Sequence, residues 1–108
     1  MKPDSLLGIW TGNAHHSSGW DMKITISVMQ PFEVGAIFGI FDIPLIQCSG
    51  SLRMVSIQGE KIELRAIRQQ GDCPDSESEW LELLPDGTLL YTSKGKGWET
   101  KGVLYRNS

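Results

Sequence analysis

The chain is poor in the residues that usually announce chemistry. It has only two cysteines and two histidines in 108 residues. Two cysteines, Cys48 and Cys73, cannot make a zinc-ribbon ligand set, and their spacing is not C-x-x-C. They are either one disulfide or two buried thiols. Basic charge is scarce as well. Ten lysines and arginines against thirteen aspartates and glutamates leave a net charge of −3, without the basic field that nucleic acid requires. No apolar run reaches membrane-spanning length, because the longest, Val34 to Ile46, is broken by Asp42 and Pro44. The opening "MKPDSLLGIW" lacks the apolar core of a signal peptide, so the compartment stays open between cytoplasm and export within a larger chain. No segment keeps a 3.6-residue apolar period over three turns, which excludes a helical bundle. "GKGWET" lacks the spacing of a phosphate-binding loop, and "DCPDSESE" lacks the central glycine of an EF-hand and reads as a solvated loop.

What is present is alternation. In "WDMKITISV", Trp20, Met22, Ile24, Ile26 and Val28 share one face, and Asp21, Lys23, Thr25 and Ser27 the other, as in a half-buried strand. Leu6, Gly8, Trp10 and Gly12 alternate before it. After a turn carrying Pro31 and Gly35, "AIFGIFDIP" is apolar on both faces, which predicts a central strand or one whose outer face is covered. "SGSLRMVSI" puts Gly50, Leu52 and Met54 on one side. A two-residue turn at Gln58-Gly59 leads into "EKIELRAIRQ", with Ile62, Leu64 and Ala66 aligned. The polar stretch "QQGDCPDSES" reads as a loop. "EWLELL" aligns Leu81 with Leu83, Pro85-Asp86-Gly87 turns the chain, and "TLLYTS" aligns Leu89 with Tyr91. After "KGKG", "WETKGVLYR" aligns Gly102, Leu104 and Arg106.

These segments predict eight strands joined by short turns, with almost no helix. Short connections imply antiparallel neighbours, and eight such strands must close to protect their edges. The expectation is one domain over residues 1–108, an all-β, eight-stranded antiparallel up-and-down barrel with its first and last strands adjacent. Its inward positions are nearly all apolar, mixing bulky Trp10, Trp20 and Tyr91 with glycines that let a small barrel bend. A turn at Gln58-Gly59 would set residue 48 opposite residue 69, so a loop folding back by four residues brings Cys73 near Cys48, bonded or not.

Two resemblances accompany this reading. Gly8-Ile9-Trp10 at the first strand, with Arg106 at the end of the last, resembles the lipocalin and avidin (calycin-like) barrel. That likeness implies that the tryptophan closes one barrel end and that the basic side chain lies across it. A second likeness covers nearly the whole chain. It rests on Trp10-x-Gly12, Gly39-x-x-Asp42-x-Pro44, Cys48-x-Gly50-x-Leu52, Ile62-x-Leu64, Cys73, Leu81-x-Leu83, Asp86-Gly87-x-Leu89-x-Tyr91 and Gly102-x-Leu104-x-Arg106. These resemble a short all-β domain that bacteria append to the C-terminus of some serine/threonine kinases and proteases. The chain departs from it at Ile43 and Ala66, where such domains carry tyrosine and glutamate. The resemblance implies an appended sensing or interaction module.

The adjacent His15 and His16 pose the question of a metal or proton-transfer site. Neighbours in an extended chain point to opposite faces, so the pair does not grip one ion, and Asp21 lies on an outward face. They read as a hairpin loop at a barrel rim, with alanine at both positions expected to leave folding nearly unchanged. Trp10 and Trp20 read as core, Trp80 as outward, and Trp98 as the start of the last strand. The expected function is a non-catalytic binding or sensing module of bacterial origin. It takes a small apolar ligand at the barrel end, at a rim of His15, His16, Trp20 and Trp98, or a protein partner on its surface. It needs no cofactor and no metal, and neither enters a membrane nor binds nucleic acid. Two alternatives stand beside it: an enzyme using His15 or His16 at a barrel-mouth pocket, and a structural domain. The second would pair through "AIFGIF" or Trp80, within an expected range from monomer to weak homodimer.

Overall fold

The alternating stretches fold as strands in the computed structural model, which describes residues 5–107. In chain order they are β1 (Gly8–His16), β2 (Trp20–Val28), β3 (Ile37–Ile43), β4 (Cys48–Gln58), β5 (Lys61–Gln70), β6 (Ser76–Leu83), β7 (Leu89–Gly95) and β8 (Trp98–Asn107). Each pairs antiparallel with the next, and β8 pairs back with β1, so the sheet closes into an up-and-down barrel. Closure gives every strand a neighbour on both sides, so the barrel has no edge strand of the kind an open eight-stranded sheet would have to protect. A short 3-10 turn, Pro44–Ile46, joins β3 to β4.

One face of each strand fills the interior. Met22, Ile24, Ile26 and Val28 of β2 are buried, as are Leu52 and Met54 of β4, Ile62 and Leu64 of β5, and Leu89, Tyr91 and Leu104 of the last two strands. One end of the barrel is sealed by Trp10 and Leu6, both fully buried, with the Trp10 indole N–H donating to the Leu6 carbonyl at 3.0 Å. The Arg106 guanidinium lies 4.4 Å from the Trp10 ring centroid and donates to the carbonyls of Ser5 and Leu7. The chain passes beneath it at Gly8, whose φ of +121° suits glycine and where a Cβ would sit 3.1 Å from Arg106 Nη1. At the same end, the hydroxyl and then the backbone N–H of Thr88 donate to Asp86 in the β6–β7 turn. They hold its carboxyl below the usual carboxylate range.

Three local features differ from the sequence expectation. The outer face of β3 is uncovered, and Ile40 there is 48% exposed. The strand reads as apolar on both sides because of a bulge. Ile37 pairs with Arg53 and Gly39 with Leu52, so Phe38 is the extra residue and turns inward. It is fully buried and meets Phe32 edge-on at 6.0 Å between ring centroids. Next, the β4–β5 turn lies at Gly59-Glu60, one residue later than the sequence suggests, with Gln58 paired to Lys61. That moves the ladder by two positions. Bulges at Val55 and near Arg68 then offset one another, so Ser49 faces Gln70. Finally, the polar loop shrinks to residues 71–75, because β5 runs on through Gln70 and β6 already starts at Ser76.

Candidate functional site

Opposite the Trp10–Arg106 seal, the connections at residues 17–19, 44–47, 71–75 and 96–97 gather around a mouth. His16 is sandwiched there between two indoles. Its ring lies 4.9 Å from that of Trp20 at an interplanar angle of 21°, and 5.5 Å from that of Trp98 at 19°. The Ser18 amide donates to His16 Nδ1 at 3.1 Å, so that nitrogen is an acceptor and the ring proton of the neutral imidazole sits on Nε2. The Ser18 hydroxyl then donates to the same Nδ1 at 2.6 Å and accepts from Trp20 Nε1 at 2.6 Å. The hairpin tip is stitched to β8. The Ser17 amide donates to the Glu99 carbonyl at 2.8 Å, and the Glu99 amide donates to the Ser17 hydroxyl at 3.0 Å. The Trp98 indole lies over the bare backbone of Gly95, where a Cβ would be 2.2 Å from the ring.

Trp20 is therefore a rim residue. Sequence parity assigns it to the core, but it lies at the last position of the β1–β2 ladder, opposite His16, where the barrel wall ends. It is 36% exposed. His15 turns the other way and pairs across the strands with Asp21, Nδ1 to Oδ1 at 2.7 Å, with side chains 64% and 70% exposed. The two histidines thus diverge, and among the described residues no group of three metal-ligating side chains converges. Trp80 lies on the outer face beneath the ammonium of Lys61, 5.4 Å from the ring centroid. Cys48 and Cys73 are joined as a disulfide at this same mouth.

Beneath the rim lies a polar floor. Glu79, Tyr91, Ser93 and Thr100 are all buried. The Glu79 carboxylate accepts from the Ser76 hydroxyl at 2.9 Å, the Ala66 amide at 3.3 Å and the Tyr91 hydroxyl at 3.2 Å. A buried carboxylate is tolerable only with such partners, and among the described residues no buried side-chain polar atom lacks one. Burial, and then the negative charge of Glu79, push the ionisation of Tyr91 well above the ordinary tyrosine range. Sequence reading places Glu79 in a solvated acidic loop. The signal that finds it is the parity of β6 itself: continued two residues back from Leu83 and Leu81, it points Glu79 inward.

The interior is nearly full. Two spaces of about 20 Å³ each lie under the mouth, one lined by Ala14, Ile46 and Trp98 among others, the second by Phe41, Cys48 and Glu79. Each has room for roughly one water, whereas pockets for small organic ligands measure about 300–1,000 Å³. The molecule thus belongs structurally among closed, eight-stranded antiparallel barrels, and its shape is compatible with a calycin-like fold. No family model matches the chain, and neither a curated protein nor a solved structure matches it.

Proposed function

We propose that this barrel is a non-catalytic binding module that takes a protein partner on the rim of its mouth. The observation that carries the reading is the ring stack of Trp20, His16 and Trp98, partly open to solvent, with His16 and Trp20 fixed by hydrogen bonds through Ser18 and Trp98 laid over Gly95. Aromatic side chains held rigid before binding lose little conformational entropy on association, and exposed tryptophan is enriched among residues that dominate interface energies. The filled interior favours a protein partner on the rim over a small apolar ligand inside. Two features favour binding over an acid–base role for the histidines. His15 and Asp21 stand on the open surface, and His16 Nδ1 is committed to Ser18. The likeness to domains appended to bacterial kinases and proteases supports a sensing or interaction role in a bacterial protein.

Selection of displayed peptides on the folded domain tests this. Trp20→Ala and Trp98→Ala should each weaken the selected peptides by about tenfold or more. Tyr105→Ala, on the exposed outer face of β8, should leave them unchanged. Peptides that bind the two tryptophan variants as tightly as the parent would overturn the proposal.

A further inference from the structure

We propose that the Cys48–Cys73 disulfide is a redox latch on one seam of the barrel wall, and that a dithiol reductant opens the wall there. β5 and β6 pair only from Lys61 to Leu64 against Glu79 to Glu82. Nearer the mouth each strand pairs elsewhere. Ser51 takes Ile67 and Ser49 takes Gln70 on one side; Ser76 takes Gly95 and Ser78 takes Lys94 on the other. The wall therefore forks, and a groove of about 180 Å³ lies in the fork, lined by Ala66, Gln69, Pro74, Ser76 and Glu79 among others.

Two contacts close this fork in place of a backbone ladder. One is the hydrogen bond from the Ala66 amide to the Glu79 carboxylate. The other is the 71–75 loop, which crosses the fork at the mouth. Pro74 of that loop lines the outer groove and both interior spaces, so it stands between solvent and the Glu79–Tyr91 floor. Proline has no amide hydrogen to donate, so Pro74 depends on its neighbours for position. These are the disulfide at Cys73, the bond from the Asp72 amide to the Ile46 carbonyl at 3.2 Å, and the close approach of Gly71 to Gln47. Of the three, only the disulfide is covalent.

Its two sulfurs differ in access. Cys48 is 1% exposed, whereas Cys73 is only partly buried. A thiolate of the reductant attacks Cys73 Sγ, the bond to Cys48 breaks, and Cys48 leaves as a thiolate that takes up a proton. The second thiol of the reductant then attacks its own sulfur in the mixed disulfide. Cys73 leaves and is protonated, and the reductant is left oxidised. The protein gains two electrons and two protons. Freed from Cys48, the loop withdraws Pro74, and the groove and the two spaces beneath it become continuous.

Hydrogen exchange tests this without reference to any partner, so it stands or falls apart from the binding proposal. Oxidised protein is compared with dithiothreitol-reduced protein and with the Cys48→Ala/Cys73→Ala variant, at exchange times short enough for β2 to stay protected in the oxidised form. In both bond-free forms, amides from Ala66 to Ser78 should exchange about tenfold faster or more, while β2 keeps its protection. Three results would sink the idea: unchanged exchange over Ala66–Ser78 with both thiols free, equal loss of protection in β2, or a disulfide that dithiothreitol reduces only after unfolding.

Discussion

Among the described residues, Glu79 is the charged side chain that is buried. It receives Tyr91 inside the barrel and Ala66 across the fork, so replacing it removes the acceptor of one buried hydroxyl and one part-buried amide. Glu79→Ala should lose about 2–3 kcal/mol in urea unfolding, from the desolvation of those donors. Tyr91 makes the same pair visible in pH. Its folded-state ionisation is raised, so its stabilising contribution is complete below the unfolded tyrosine value and declines as pH climbs past it. Above about pH 10 the unfolded chain releases that proton while the native state keeps it, costing about 1.4 kcal/mol per further pH unit. Tyr91→Phe should lack this slope when the two proteins are unfolded side by side between about pH 9 and pH 11. The two histidines separate at this scale as well. His15→Ala should stay within about 0.5 kcal/mol of the parent, as at other surface sites. His16→Ala should cost about 0.5–1.5 kcal/mol in the same assay, because it empties a sandwich of two indoles. The sequence expectation treats both positions alike, and this pair of measurements decides between the two readings.

Among the elements, β1 and β8 approach most closely where side chains are absent. A Cβ on Gly12 would lie 2.2 Å from the Val103 carbonyl oxygen, and one on Gly102 would lie 2.4 Å from that of Asn13. Backbone cannot swing aside as a flexible side chain does, so Gly12→Ala should cost about 1–3 kcal/mol, read as a lower urea midpoint at unchanged slope. Elements were also the level at which the sequence was most readable. Period-two stripes in β2, β4, β5 and β8 are long enough to reveal both strand and inward face. Where reading failed, the period was interrupted or incompletely followed. The bulge at Phe38 changes parity within β3 and makes a half-exposed strand look buried on both sides. Glu79 obeys the parity of β6, but acidic neighbours disguise it as loop. Trp20 obeys the parity of β2, yet the barrel ends beside it. The likeness of Gly8, Trp10 and Arg106 to a barrel-end seal was legible because it rests on residue identity at the two ends of the chain. The sequence reading also groups His16, Trp20 and Trp98 at one rim, but their stacking was not legible, because it joins rings from strands far apart in sequence.

The whole molecule is a ring whose first and last strands are partners, with Ile9 opposite Asn107. The described chain thus enters β1 and leaves β8 at the same end, the one sealed by Trp10. Tension applied through these two strands would load their shared hydrogen bonds one pair after another, as a zipper is loaded, and never all together in shear. The barrel should yield at low force in single-molecule stretching, beginning at Ile9 and Asn107. The disulfide would not resist this first opening, since Cys48 and Cys73 both lie far along the chain from the loaded strands. It would shorten the length released: 25 residues of separation stay looped, withholding about 80 Å of extended chain. Adding dithiothreitol should restore that length. Force therefore reaches the wall through one pair of strands, and chemistry reaches it through another.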